Sequence, residues 1–514
     1  MQHLKIWTYL SLPWLAATLL FFLGFLGLSF LNDVPETFLT SELISKLFLN
    51  TIFLALLVGI FTFMIAAPFA TITSLYIFPG HKFYSWALSL PLVFPAYIYA
   101  FIFVGGLEYS GPLASWLREF GIIMPSVRNI LGASLVMSLA LYPYMFLLMK
   151  AQIKHLGIPL FKAAKTLGKS DFTAIRTVLF PSLKPAIIAG LMLAILETLA
   201  DLGGVSTLRV DTFTVAIYDA WFGYQDYFSG ARLAGFLFLF VLVLIIISRM
   251  LTNSKRVSSI SNDSFEKIYI QKPYRIIFSS SCLLLFVVSF CLPLLQLIMW
   301  SDFKEVFLSE SNINLFLNSG LLGIITAACV IFIALILALA YKGSNKLKVF
   351  ISASAIGYAL PGSVIAAGLL IVIHEMFDVS ITTMGVFGLL LGLTIRFITP
   401  PFQYLISSID NIPDKSILAL RTFPTNSIKA FLSLYFPSIK PALIVAFLVV
   451  FIEVVKEQPA TLILRPVGFE TLSSRIYNYT SEGQWELAAN PSILLVFLSF
   501  ILVYFLNKRL DKNE

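Results

Sequence analysis

Charge is what this chain has least of. Only 12% of its 514 residues are Asp, Glu, Lys or Arg, against 59% hydrophobic, whereas a soluble domain is about 25% charged. With a mean hydropathy of +0.91, no soluble core could hide so much apolar surface, so lipid is the expected solvent. Cysteine is scarce as well. Cys282, Cys291 and Cys329 all fall in apolar segments without metal or disulfide spacing, and they read as small core residues. No Gly-x-x-x-x-Gly-Lys-Ser/Thr sequence occurs, so no P-loop is expected. No catalytic triad or metal quartet is recognisable, so the chain is not expected to be an enzyme, to hold a cofactor or to harvest ATP alone. The net charge is +8, but the basic residues are spread through short loops rather than gathered as a nucleic-acid surface requires.

Long apolar runs are what is there instead. A spanning helix needs roughly 20 apolar residues, and twelve candidates follow along the chain. They cover about 6–31, 49–78, 83–106, 129–150, 185–206, 231–250, 275–300, 315–341, 349–376, 382–406, 441–459 and 491–507. The first is too long for a signal-peptide core and lacks a small-residue cleavage site, so it is expected to be retained. Pro91, Pro95 and Pro361 are expected to kink the third and ninth segments. Lys and Arg concentrate in the loops after the fourth and tenth segments, in the polar stretch between the sixth and seventh, and in the tail. With twelve spans these regions share one face. The excess of positive charge makes that face, and both termini, cytoplasmic. The opposite loops are poorer in basic residues and carry Asp211, Asp219, Glu470 and Glu482 among their acids.

The chain also repeats itself. Phe180-Pro-Ser-Leu-Lys-Pro-Ala-Ile-Ile188 returns as Phe436-Pro-Ser-Ile-Lys-Pro-Ala-Leu-Ile444, and Pro181 to Pro437 is an offset of 256 residues. Leu47-Phe-Leu-Asn-Thr51 returns as Leu315-Phe-Leu-Asn-Ser319 at an offset of 268, and Asp211-Thr-Phe as Glu470-Thr-Leu at 259. One unit has been duplicated and fused. Six spans per unit is an even number, so the units insert in the same direction, as parallel repeats about an axis along the membrane normal. The first unit has about twelve extra residues before its basic loop, and the stretch Glu108 to Ser126 is expected to form a short surface helix.

The basic loop Lys162-Ala-Ala-Lys-Thr-Leu-Gly168, followed by Val178-Leu-Phe-Pro181, resembles the EAA loop of ATP-binding-cassette (ABC) importer permeases. Ala163, Ala164, Gly168, Val178 and Pro181 match that pattern, while Lys162 replaces its acid and Phe180 its leucine. The resemblance implies two short helices that plug into a cytoplasmic ATPase. Small Ala faces allow close helix approach, and Gly permits the turn between helices. In the second copy, Leu418-Ala419-Leu-Arg-Thr-Phe-Pro424 and then Leu434-Tyr-Phe-Pro437, a proline stands where the glycine belongs. Glu197-Thr-Leu-Ala-Asp201-Leu-Gly-Gly and Glu457-Gln-Pro-Ala-Thr461, with Ala140-Leu-Tyr-Pro-Tyr144, are similar to the fused two-unit ferric-iron permeases. Related fused permeases carry thiamine, polyamines and other small solutes.

What the resemblance implies is an all-α polytopic protein of about twelve transmembrane helices, arranged as two type I importer permease repeats in a bacterial inner membrane. Its organisation would be an N-terminal helix region (1–46), a first ABC transmembrane domain (47–250), a cytoplasmic linker (251–274), a seventh helix with an outer loop (275–314), a second ABC transmembrane domain (315–507) and a tail (508–514). A cytoplasmic ATPase homodimer would bind ATP and Mg²⁺, and a binding protein would deliver cargo. The rival reading is an ion-coupled secondary transporter, which also uses repeats and buried acids but needs no EAA loop.

The acids recur with the repeat. Glu197 and Glu453 are equivalent, as are Asp201 and Glu457, and the i, i+4 spacing puts both members of each pair on one helical face. At 1.5 Å per residue Glu197 lies roughly 18 Å into the membrane, where acids face the bundle interior or a wet cavity. Hard oxygen donors, with Tyr142 and Tyr144 beside them, suit a hard cation. The alternative is structural, the acids bonding Lys456, Arg396 or backbone at a closed gate. Arg396 is then a counter-ion or a packing contact, and His374 an interfacial residue.

Overall fold

In hydrocarbon a backbone N–H finds its partner only within its own segment, so apolar runs become helices. A computed structural model describes the main chain of residues 5–31, 39–123, 125–252, 268–270, 272–378, 381–413, 429 and 431–511. It is almost wholly helical. Among the described residues nine helices are long and apolar enough to cross a membrane, and three bent pairs bring the number to twelve. Numbered in chain order, spans 1 to 6 are Lys5–Leu31, Ser41–Leu75, the pair His81–Val93 with Ala96–Leu107, Ile130–Gln152, Asp171–Ala200 and Tyr227–Thr252. Spans 7 to 12 are Lys272–Trp300, Glu310–Gly343, the pair Lys348–Ala359 with Gly362–Phe377, the pair Met384–Phe397 with Thr399–Asp410, Phe431–Lys456 and Trp485–Val503.

The expected kinks in spans 3 and 9 are full breaks, of 89° and 116°. Each break falls at a proline, Pro95 and Pro361, whose predecessor is extended, with ψ of 126° at Phe94 and 137° at Leu360. Proline lacks an N–H and pushes the residue before it out of the helical region. A 3₁₀ turn precedes each proline, Leu90–Val93 in one half and Gly357–Ala359 in the other. Pro91 lies inside the first of these turns.

The halves share a core. Span 2 packs on spans 4 and 5, as span 8 packs on spans 10 and 11. Polar anchors repeat too. Asn50 Nδ2 donates to the Asp211 carbonyl at 3.1 Å, and its equivalent Asn318 donates to the Glu470 carbonyl at 3.0 Å. Thr51 Oγ1 accepts the Phe213 N–H, and Ser319 Oγ accepts the Leu472 N–H. Tyr218 and its equivalent Tyr477 meet at ring centroids 5.3 Å apart. A residue touches its own equivalent only near a twofold axis, so this pair marks where the pseudo-axis runs.

Spans 1 and 7, which open the two halves, both reach outside their own half. Span 1 packs on spans 8 and 9 as well as span 6, with Phe25 fully buried where Gly368 leaves room for its ring. Span 7 packs on spans 3 and 12. It has a π-helical turn at Val287–Cys291, where the Ser289 carbonyl accepts the Tyr99 hydroxyl. A π turn releases a backbone carbonyl for such a bond.

The expected surface helix is Pro112–Glu119. A short parallel pairing of Tyr76–Ile77 with Ile268–Tyr269 was not expected. Cys282 is buried as expected of a core residue, but Cys329 is exposed on the outside of its helix. His374 is half exposed at the end of span 9.

Candidate functional site

Spans 5 and 11 end where the repeat acids begin. Span 5 stops at Ala200 and span 11 at Lys456, and Asp201 and Glu457 are the extended residues that follow, with ψ of 133° and 124°. The i, i+4 reading is therefore corrected. Glu197 and Glu453 are helical, but their partners lie past the helix ends. The reason is capping. Asp201 Oδ2 accepts the Val205 N–H at 2.9 Å, at the head of the short helix Gly203–Thr207. Glu457 Oε1 accepts the Ala460 N–H at 3.0 Å, at the head of Pro459–Leu464. A carboxylate at a helix start satisfies amides that have no intrahelical partner. The main chain is fixed in the same way in both halves, the Asp201 carbonyl by Thr214 Oγ1 at 2.9 Å and the Glu457 carbonyl by Ser473 Oγ at 2.8 Å.

All four acids nevertheless line one cavity between the halves. Leu92, Tyr97, Tyr144, Arg396 and Lys456 line it with them. At about 80 Å³ it has room for a handful of waters, each of which needs about 10–15 Å³ by the same measure. The space between the halves is therefore narrow here. Both cations come from the second half. Arg396 Nη1 donates to the Leu360 carbonyl at 2.9 Å, just before the break in span 9. Its Nε lies 2.9 Å from Glu457 Oε2 as a charge pair, off the line of a hydrogen bond. Both side chains are over nine-tenths buried. Lys456 Nζ donates to the Leu92 carbonyl at 2.6 Å, in the 3₁₀ turn before the break in span 3. Glu197 Oε1 accepts the Tyr358 hydroxyl at 3.1 Å.

The broken spans thus present the Leu92 carbonyl and the Tyr358 hydroxyl to the opposite half, while the Leu360 carbonyl serves Arg396 of its own half. Tyr358 and Leu92 were missed in the sequence, although the paired proline breaks at Pro95 and Pro361 were the available signal. Of the two tyrosines expected here, Tyr144 lines the cavity and Tyr142 does not. Tyr142 is buried against span 7, its hydroxyl 3.2 Å from Ser289 Oγ. Among the described residues no group of three or more His, Cys, Asp or Glu is arranged to hold a metal ion. The carboxylates line the cavity without forming a ready-made coordination site.

The second candidate is the loop before span 5. Lys162, Ala163 and Ala164 lie on the helix Ile158–Thr166, and Asp171–Ala174 begins the next helix. Gly168 joins them at φ +80°. Its N–H bonds the Lys165 carbonyl at 2.9 Å and the Lys169 N–H bonds the Ala164 carbonyl at 3.1 Å. These two bonds close a Schellman motif, which needs a left-handed residue at this position. Phe161 and Ala164 are buried beneath, while Ala163 is exposed and Leu167 and Phe172 stand out at 80% and 74% exposure. Lys165 pairs with Asp171 at 2.5 Å across the turn. Pro181 and Pro437 both lie just after a π-helical turn within their spans, Ile175–Leu179 and Phe431–Tyr435. Ala419 and Pro424 lie outside the described residues.

No family model matches the chain. It is 28% identical to an Fe(3+)-transport system permease protein of Haemophilus influenzae, over 90% of each chain. It is 23% identical to a ferric transport system permease protein of Actinobacillus pleuropneumoniae, over 93% of this chain and 73% of that one. The sulfate transport system permease protein of Escherichia coli is 26% identical over 30% of this chain and 55% of its own length. Over most of its length the chain is thus similar to permease proteins of ferric transport systems, and its many membrane-long apolar helices agree with a multi-pass membrane protein.

Proposed function

We propose that the chain is the permease subunit of a binding-protein-dependent ABC importer that carries ferric iron inward across the bacterial cytoplasmic membrane. The observation that carries the cargo reading is the inter-half cavity, where four carboxylates outnumber two cations. Such a lining attracts a multivalent cation and suits hard oxygen chemistry. The permeases that resemble this chain over most of its length are named for ferric or Fe(3+) transport. The sulfate permease of Escherichia coli matches only 30% of it.

The Gly168 loop is the place where work enters. Two short helices with exposed Leu167 and Phe172 offer an apolar knob to a cytoplasmic ATPase dimer, which binds the ATP and Mg²⁺. On this reading the basic loops and both termini lie inside the cell, in keeping with the positive-inside rule. Closure of the ATPase would push the loop, and span 5 transmits the push because it follows the loop with no intervening linker. The opposite end, around Tyr218 and Tyr477, then faces the binding protein. The two permease units would be 47–250 and 315–507, joined through 251–274.

The test is uptake of radioactive ferric iron into proteoliposomes holding permease, ATPase and binding protein. Glu197→Gln with Glu453→Gln is expected to cut ATP-driven uptake at least several-fold while leaving assembly with the ATPase intact. Undiminished uptake by that double variant would remove the acids from the path. Uptake by the permease alone, driven by a proton gradient, would favour a secondary transporter. Uptake of thiamine, a polyamine or sulfate in place of iron would reassign the cargo.

A further inference from the structure

The cavity contains a latent ion pair that is not made. Glu453 lines the cavity and has no hydrogen bond or ion pair among the described residues. Lys456 stands one helical turn along the same face, a spacing at which a carboxylate and an ammonium ordinarily meet. Yet Lys456 forms no ion pair within 4.0 Å among the described residues. Its ammonium instead reaches across to a neutral acceptor of the other half, the Leu92 carbonyl, at 2.6 Å. Tyr97 of the same half closes the contact from the other side, its hydroxyl 3.4 Å from the Lys456 carbonyl. The equivalent position in the first half is Ala200, so the cation exists once, on the seam.

An acid-lined cavity in a membrane has a problem that follows from its own chemistry. Lone carboxylates attract protons and monovalent cations as well as cargo, and a leak would discharge the membrane. A fixed positive charge at a constriction is a physical means of excluding small cations. We propose that Lys456 is the residue that seals this cavity against small monovalent cations, by holding its ammonium across the seam between the halves. Arg396 does not serve this purpose, because it is committed to Glu457 and the Leu360 carbonyl. Parting of the halves breaks the Lys456–Leu92 contact and frees the ammonium to turn towards Glu453. The seal therefore opens only with the driven motion. The proposal rests on the cavity being the transport path.

Passive thallous-ion flux into proteoliposomes containing the complete transporter without ATP reads the seal directly, whatever the cargo. Lys456→Gln is expected to raise that flux about tenfold or more over the native protein. Lys456→Arg, which keeps the charge, restores tightness. Adding Glu453→Gln to Lys456→Gln removes the attracting carboxylate and brings the flux down again. Should Lys456→Gln fail to insert, Lys456→Met, which leaves no polar group unpaired, carries the same test. A neutral variant that inserts and stays as tight as the native protein would overturn the proposal, and so would a leak indifferent to Glu453. Failure of the importer reading shows elsewhere, as absence of ATP-driven iron uptake by the native complex.

Discussion

The two halves are built on one plan and charged differently. Both break a span at a proline, both cap a short helix with the acid that follows span 5 or 11, and both anchor that region with an asparagine from span 2 or 8. The difference is that the second half supplies both cavity cations, Arg396 and Lys456, while each half supplies two acids. Asp201 is held by backbone amides alone, whereas Glu457 has an arginine as well. The shared features are those the backbone requires, and duplication preserves them. The unshared ones concern charge, which the backbone does not need. A single chain can therefore place a cation at the seam once, which a pair of identical subunits could not do.

The largest expected effect comes from breaking this difference at Arg396. Removing one partner of a buried ion pair leaves the other charge uncompensated, at about 3–5 kcal/mol. Arg396→Met should therefore lower the thermal unfolding midpoint in detergent markedly. Arg396→Met with Glu457→Gln should recover much of the loss, because no charge is then left unpaired. If Arg396→Met melts like the native protein, the pair does not hold span 10 to the cavity wall.

The next effect concerns the loops. Gly168 sits at φ +80° with nothing within 4 Å of where a Cβ would lie, so conformation and not space restricts the position. Gly168→Val forces a β-branched residue into the left-handed region, at about 1–3 kcal/mol. ATP-driven uptake should fall to background while membrane insertion is normal. Gly168→Asn should keep most of it, since asparagine enters that region readily. Equal uptake by both variants would mean that the turn is not what couples the loop to the ATPase.

Much of this was legible in the sequence, and what was not had definite causes. Hydropathy located every span, because lipid leaves an apolar run no other structure. It could not locate the breaks, because the windows at Pro95 and Pro361 stay apolar while the chain turns by 89° and 116°. The turn at Gly168 was legible through the resemblance of its loop to the EAA pattern, which implies two short helices, and glycine permits the turn between them. The face assigned to Glu197 and Asp201 failed because periodicity was carried past the helix end. Pro459, two residues after Glu457, was a start signal for a new helix and could have placed that end. Tyr142 and Tyr144 differ by two residues, and the helix sends one to span 7 and the other to the cavity. The ammonium of Lys456 was visible as a charge, but its acceptor is a backbone carbonyl, which no sequence pattern marks.

The smallest effect tests how far the twofold likeness extends to energy. Asn50 and Asn318 donate to equivalent carbonyls at 3.1 and 3.0 Å, and by geometry alone the two bonds are the same. Their surroundings are not. The Asn50 bond is solvent-exposed, and the nearby Lys46–Asp211 pair, at 59% and 55% exposure, adds little. The Asn318 bond is partly buried, and its acceptor residue Glu470 is fixed by Arg465 at 3.4 Å and by Arg475. A carbonyl that water can reach loses little when its donor is removed. One held rigidly away from water loses a full bond, about 1 kcal/mol. Asn318→Ala should therefore cost about twice what Asn50→Ala costs, read as paired shifts in unfolding temperature, with the double variant additive because the sites share no partner. Equal costs would mean that geometry alone sets the strength of these anchors, and the charge cluster around Glu470 would then need another explanation.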